Sequence, residues 1–272
     1  MKLRRKLKAY LSGWKSDLPA AWRPKFDGFE LDFNRVREDL EFDSAHPVYP
    51  GRRGHPPAGA PAGSHILKAL DGINPGQVRL VVLGQDPYPN VAHATGRSFE
   101  QGDLPDYSSK KVTTSMRRIL QALAEARTGK SAYVEAGGWG LVKADLAALN
   151  IEAPGKLWNG WRDQGAIFLN AGLTLTKFKP GGSPEQKYGH IPLWQPFIAQ
   201  LLKSLAALQP FVFVTWGEYA RKLAGNIADW GPHVVPLNGI HPAAGAGFLK
   251  PPNQFVAIGE KLKTLGGAPF RW

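Results

Sequence analysis

The chain has 272 residues, enough to bury a real core as one large domain, and 34 Lys plus Arg against 22 Asp plus Glu leave a formal charge of +12 that suits a polyanionic partner. It has no cysteine, which excludes disulfides, thiolate zinc sites and cysteine-ligated iron–sulfur clusters. No run reaches the roughly 18 to 20 apolar residues of a membrane span, and the basic start lacks the apolar core of a secretory signal, so a cytoplasmic protein with no membrane attachment is expected.

In chain order, the basic cluster from Lys2 to Lys8 reads as a solvated end. Residues 47–63, PVYPGRRGHPPAGAPAG, are too dense in Pro and Gly for a regular helix. The segment ahead of them is short and weakly patterned for a core of its own, so 47–63 reads as a surface loop inside a single domain spanning 1–272. GINPG at 72–76 precedes the first apolar run and reads as a turn. That run, 78–83 (VRLVVL), predicts a strand and leads into GQDPYPN at 84–90. Helical spacing follows over 109–126, where Met116, Ile119, Leu120 and Leu123 form a packing stripe. A second strand is expected at 166–169, before Asn170. A helix over 193–208 comes next, its stripe made of Leu193, Phe197, Ile198, Leu201, Leu202 and Leu205. A third strand at 211–215 is closed by Trp216 and Gly217, and a short helix is expected over 216–227. The fourth strand, 234–237, precedes His241, and a last helix covers 253–265.

The four apolar runs are short, rich in β-branched and aromatic residues, and closed by Gly, Asn or Trp-Gly, as expected of strands buried on both faces of a parallel sheet. The long stretches between them imply an α/β fold, and in open α/β sheets ligands bind beyond the carboxyl ends of the strands. Gln85, Asp86, Asn170, Trp216, Gly217 and His241 should therefore meet on one rim. Taken singly, Asp86 beside Pro87, Asn170 and His241 each also fit a turn.

Residues 84–88, GQDPY, resemble the first motif, GQDPYH, of the family 1 uracil-DNA glycosylases. GRSF at 96–99, FLNAGLTL at 168–175, WQPF at 194–197, FVTWGEYA at 213–220 and GIHP at 239–242 follow in the family's order, and the resemblance runs from about Trp14 to the C-terminal helix. It implies a three-layer α/β/α sandwich around a four-stranded parallel sheet. It also implies a monofunctional enzyme that hydrolyses the bond between uracil and deoxyribose in single- or double-stranded DNA, after flipping the base into a pocket. Such an enzyme is a monomer that needs no cofactor and no metal. By the resemblance, Asp86 activates water and stabilises the oxocarbenium-like sugar, and His241 hydrogen-bonds the developing uracil O2 anion. Asn170 reads the O4 and N3–H edge, Tyr88 stands against C5, Phe99 stacks on the base and Gln85 adds a polar contact, expected through its main chain.

The chain departs from the family at three places. Pro89 replaces a histidine after the first motif. The second motif, HPSPLS in the family, is replaced by HPAAGA at 241–246, so the serines that contact phosphate and the leucine wedge are absent, and the loop is about three residues shorter. Ala243 and Ala244 occupy the phosphate-contact positions, and Phe248, Leu249 or Lys250 is left to replace the wedge. The family's phosphate-binding serine is matched poorly by Val112 to Ser115, leaving Thr113, Thr114 or Ser115 for the DNA. Weak binding of the phage-encoded inhibitor of these enzymes, which encloses the wedge, is expected. Two other readings stand beside this one: a uracil-DNA binder with little turnover, and an unrelated α/β hydrolase, for which no nucleophile elbow or phosphate loop speaks.

Overall fold

A computed structural model describes residues 1–223 and 233–272. Its centre is a four-stranded, all-parallel sheet in the order β2-β1-β3-β4, built from β1 (Leu80–Gly84), β2 (Ala166–Asn170), β3 (Phe211–Trp216) and β4 (Val234–Gly239). The continuous apolar runs are explained by burial on two faces. Val81, Leu83, Ile167, Leu169, Phe211 and Phe213 enter one core, whereas Leu80, Val82, Ala166, Phe168, Val212 and Val214 enter the other.

The first core is covered by α1 (Leu3–Tyr10) and α5 (Ile191–Ala206), with the short 3-10 segments Trp14–Asp17 and Ala20–Phe26 between Trp194, Phe197 and the N-terminal aromatics. The second is covered by α2 (Thr114–Thr128), α3 (Gly138–Ala144), α4 (Pro154–Asp163) and α7 (Gln254–Thr264). The result is the three-layer α/β/α sandwich expected. A further helix, α6 (Glu218–Leu223), follows β3, and the remainder of the helix expected over 216–227 lies outside the described residues.

Several expectations are corrected. The first long helix begins at Thr114, not 109, because Asp106 and Ser109 side chains accept backbone N–H groups two residues on, which holds that stretch in turns, and Thr113 caps the helix. α5 starts two residues before the expected 193 and ends two before 208. Pro192 falls where the π-turn Gln186–His190 passes into α5, a point at which the regular i to i−4 ladder is already interrupted. β4 is not buried throughout: among the described residues it pairs only with β3, it contains Pro236, and its side chains are half-buried or exposed. The N-terminal segment is better patterned than its sequence suggests. Leu3, Leu7, Leu11, Trp14, Leu18 and Trp22 are all buried in the same core as the sheet.

Residues 47–63 form an irregular loop fastened to the body of the fold. Tyr49 exchanges backbone hydrogen bonds with Leu175, Arg52 pairs with Asp17, and Arg53 pairs with Asp71.

Candidate active site

Beyond the carboxyl ends of β1 and β2 lies a cavity of about 740 Å³ whose lining includes Gln85, Asp86, Tyr88, Phe99, Asn170 and His241. All six residues expected for catalysis and base recognition thus face one space. The register explains part of this: Gly84 and Asn170 are level partners at the strand ends, and Ala171 and Gly172 donate N–H to the carbonyls of Gly84 and Gln85 at 3.0 and 2.9 Å.

Gly84 lines the cavity, and Gly172 leaves room for the Asp86 side chain beside it. A Cβ on Gly84 would lie 2.9 Å from Ser98 Cβ, 3.1 Å from Asn170 Oδ1 and 3.2 Å from Phe99 Cε2. One on Gly172 would lie 2.9 Å from Asp86 Oδ1.

Asp86 accepts a short hydrogen bond on Oδ2 from Gln186 Nε2, whereas Oδ1 is buried with no partner among the described residues. Burial pushes the carboxyl up to about 8, because a desolvated carboxylate loses hydration that no cation here replaces. A group in this state gains most when a positive charge appears beside it. Asn170 is also buried, and its Oδ1 likewise has no partner among the described residues, so it is an acceptor ready for a donor on a ligand.

His241 follows β4, packed under Gly217, whose φ of 114° brings the β3 end against the imidazole. Burial lowers its pKa, which favours the neutral ring. Ala243 N–H donates to Nδ1 at 3.0 Å, so the remaining proton of neutral His241 sits on Nε2 and is available as a donor. Arg118 on α2 donates to the Pro242 carbonyl at 3.0 Å and steadies this loop.

Tyr88 is tied at its hydroxyl, which donates to Phe99 O at 3.3 Å and accepts a hydrogen bond from Thr113 Oγ1–H at 3.1 Å. Its ring edge is therefore a fixed wall. Phe99 adopts φ 62°, a left-handed conformation costing a bulky residue about 1–3 kcal/mol, and its ring stands 5.1 Å from Trp216 and 5.8 Å from His241. A backbone hydrogen bond from Ser98 N–H to Phe168 O and a side-chain one from Trp158 Nε1–H to Ser98 O hold it there.

The DNA-contact candidates divide. Thr113 is committed to capping α2 and to Tyr88, Ser115 is buried, and Thr114 is exposed at the cavity edge. Ala243 and Ala244 are exposed but carry no hydroxyl, and both backbone N–H groups turn in to His241. Phe248 does not serve as a wedge in this arrangement: it is 0% exposed and packs edge-on against Trp216 at 5.2 Å, filling the second core. Leu249 is half-buried and Lys250 exposed. Gln85 has its carbonyl engaged by Gly172.

Sequence reasoning missed Gln186, Tyr219 and Phe178, which also line the cavity. The only signal for Gln186 was Ser183-Pro-Glu-Gln186, the pattern of a helix capping box. Phe178 is 44% exposed and flanked by Lys177 and Lys179, a conspicuous aromatic for an open rim.

Comparison with known proteins agrees with this geometry. The family model described as Uracil DNA glycosylase superfamily matches residues 70–263. A uracil-DNA glycosylase of Streptococcus pneumoniae is 31% identical over 202 residues, covering 72% of this chain and 75% of the relative, and one from Streptococcus gordonii is 29% identical over 219 residues, covering 78% and 82%. Among solved structures, the mimivirus uracil-DNA glycosylase superposes with a TM-score of 0.65 at 20% identity, covering 100% of this chain and 93% of that one. The UNG of Nitratifractor salsuginis superposes at 0.64 with 21% identity, covering 92% and 93%.

Proposed function

The chain belongs to the uracil DNA glycosylase superfamily, and from that premise we infer that it is a DNA-repair enzyme that hydrolyses the N-glycosidic bond of uracil in DNA, releasing the base and leaving an abasic site. The observation that carries the inference to individual residues is the gathering of a desolvated carboxylate, a neutral imidazole and an unpartnered carboxamide oxygen around one cavity.

We assign the steps as follows. A flipped uracil enters between Phe99 and the Tyr88 wall, where a C5 methyl would collide with a ring that cannot swing away. Asn170 Oδ1 accepts N3–H, and its amide N–H donates to O4, a combination cytosine cannot meet. As the C1′–N1 bond breaks, its electron pair passes to the base and is held at O2 by His241 Nε2–H. The sugar becomes cationic beside Asp86. Water then adds to C1′ and gives one proton to the Asp86 carboxylate; Asp86 returns that proton to solvent, and the departing uracil anion takes one up, so the carboxylate is regenerated and the protons balance.

We assign Thr114, Ala243, Ala244, Leu249 and Lys250 to the DNA-facing rim, with salt-sensitive binding carried by the +12 charge. We further expect one domain over 1–272, a monomer, a cytoplasmic location and weak binding of the phage inhibitor protein. Among the described residues no helix is long and apolar enough to cross a membrane.

The test is release of free uracil from a uracil-containing oligonucleotide under multiple turnover. Release continuing past one equivalent supports the enzyme. Tight binding with no release instead selects the binding-protein reading.

A further inference from the structure

Resting on the glycosylase reading, we propose that Gln186 is a positioning residue: its carboxamide holds Asp86 by Oδ2 and so fixes the orientation of the carboxylate that activates water for hydrolysis of the glycosidic bond.

The two residues are 100 positions apart in sequence, and their contact is fixed from the Gln186 side. Ser183 N–H donates to Gln186 Oε1 at 3.3 Å, and Gln186 N–H donates to Ser183 Oγ at 3.2 Å. That reciprocal pair starts the helical segment that passes through the π-turn Gln186–His190 into α5. Because a backbone N–H occupies Oε1, the amide has one orientation, with Nε2 as the end that meets Asp86. Ser183 and Gln186 are fully buried, so neither end of the amide exchanges partners with bulk water.

The consequence for Asp86 is geometric and electrostatic. One carboxylate oxygen is occupied by a neutral donor, which restrains rotation about χ2 and favours the ionised form. The other, Oδ1, is buried without a partner among the described residues and packs against Gly172, where a Cβ would come within 2.9 Å of it. Pro89, three residues on in the same loop, has no side-chain donor to offer in place of Gln186. Gln186 therefore acts on the reaction through Asp86 without touching substrate.

Three variants separate this role from simple helix capping. Gln186→Glu keeps an acceptor for the Ser183 N–H, so the cap survives, but it loses the donor and places a second carboxylate beside Asp86. Gln186→Met loses the donor alone. Ser183→Ala weakens the cap while leaving the Gln186 amide in reach of Asp86. Single-turnover excision from a uracil oligonucleotide is followed across pH, and the Asp86 carboxyl is titrated by ¹³C NMR, its resonance identified by its loss in Asp86→Asn. For Gln186→Glu, the acid limb of the rate profile and the Asp86 titration should both move up by about one pH unit or more, with the rate at neutral pH down about tenfold and KM nearly unchanged. Gln186→Met should move both in the same direction by less, and Ser183→Ala should lower thermal stability with the titration in place.

An Asp86 titration unmoved in Gln186→Glu and Gln186→Met overturns the assignment, even if both variants are less stable. That readout needs no uracil release. A parent protein that releases no uracil overturns the glycosylase reading instead, so the two failures are distinguishable.

Discussion

Replacing Asp86 by Asn should make the protein more stable while disabling it. The side chains are nearly isosteric, and Asn Oδ1 can still accept the hydrogen bond from Gln186 Nε2. What changes is the charge. In the unfolded chain the carboxyl titrates at its ordinary value of 3.8, and in the fold burial pushes it up to about 8. Because the folded value is raised, ionisation opposes folding: the Asp86 contribution is most favourable below 3.8, declines as pH rises toward 8, and changes no further above that. The decline is about 1.4 kcal/mol per pH unit, which gives about 4 kcal/mol at neutral pH as an upper value and about 2–4 kcal/mol once water in the open cavity screens the group. Asn pays none of it. Urea denaturation of parent and Asp86→Asn, run near pH 5 and near pH 8, measures the difference; the stability gain should be about 1–2 kcal/mol at the lower pH and grow by at least about 2 kcal/mol at the higher. A gain that does not depend on pH, or an Asn variant less stable than the parent at high pH, would refute the argument that Asp86 is a desolvated carboxylate. The same titration should make kcat/KM for uracil release climb with pH until about 8 in the parent, since the ionised form is the active one.

His241→Ala should slow uracil release by about 10²- to 10⁴-fold with the fold intact by circular dichroism, as expected for removal of a donor to a developing anion; near-parental rates would remove His241 from the mechanism. Tyr88→Ala should release thymine from a T·A pair that the parent leaves untouched, and parental excision of thymine would show that the fixed ring is not the barrier. His190, buried between Thr174 and Thr176 at 2.8 and 3.1 Å, has its pKa lowered to about 3 by burial. Its neutral form therefore supports the fold above about 6.5, and that support is lost at about 1.4 kcal/mol per pH unit as pH falls below it, a slope that His190→Gln should flatten in denaturation curves. Titrating uracil release with the phage inhibitor should give weak or no inhibition, because Phe248 is buried and Leu249 on the rim is itself half-buried; stoichiometric inhibition at nanomolar concentration would show that another residue rebuilds the wedge.

The strands were legible because each is a contiguous apolar run, and the convergence of the six expected residues on one cavity was legible because five of them lie in motif segments at or just beyond those runs and the sixth, Phe99, closes another. α3 and α4 were not. Gly138, Gly140, Gly155 and Gly160 weaken their helical propensity, and what holds them is burial of Val142, Leu157, Trp158 and Trp161. The N-terminal stripe from Leu3 to Trp22 has helical spacing, but Gly13 and Pro19 interrupt it, and only the tertiary contacts with Trp194 and Phe197 turn the pieces into one packed surface. Buried Phe248 looked like a loop residue available to DNA because nothing local announces its contact with Trp216. Gln186 reached Asp86 by a pairing across a hundred residues, which no local pattern records.

The bare backbone at Gly84 and Gly172 also constrains how this site can change. A single added methyl at Gly84 would press on Ser98, Asn170 and Phe99 together, and one at Gly172 would press on Asp86, so neither position can be used to reshape the pocket gradually. Tyr88 is different: its ring is a side-chain wall held by hydrogen bonds to Phe99 and Thr113, and shortening it removes an obstacle without moving the main chain. Descendants of this sequence that come to accept a larger base should therefore carry substitutions at Tyr88 first, with both glycines untouched, so the order of mutational steps is written into which walls are backbone and which are side chain.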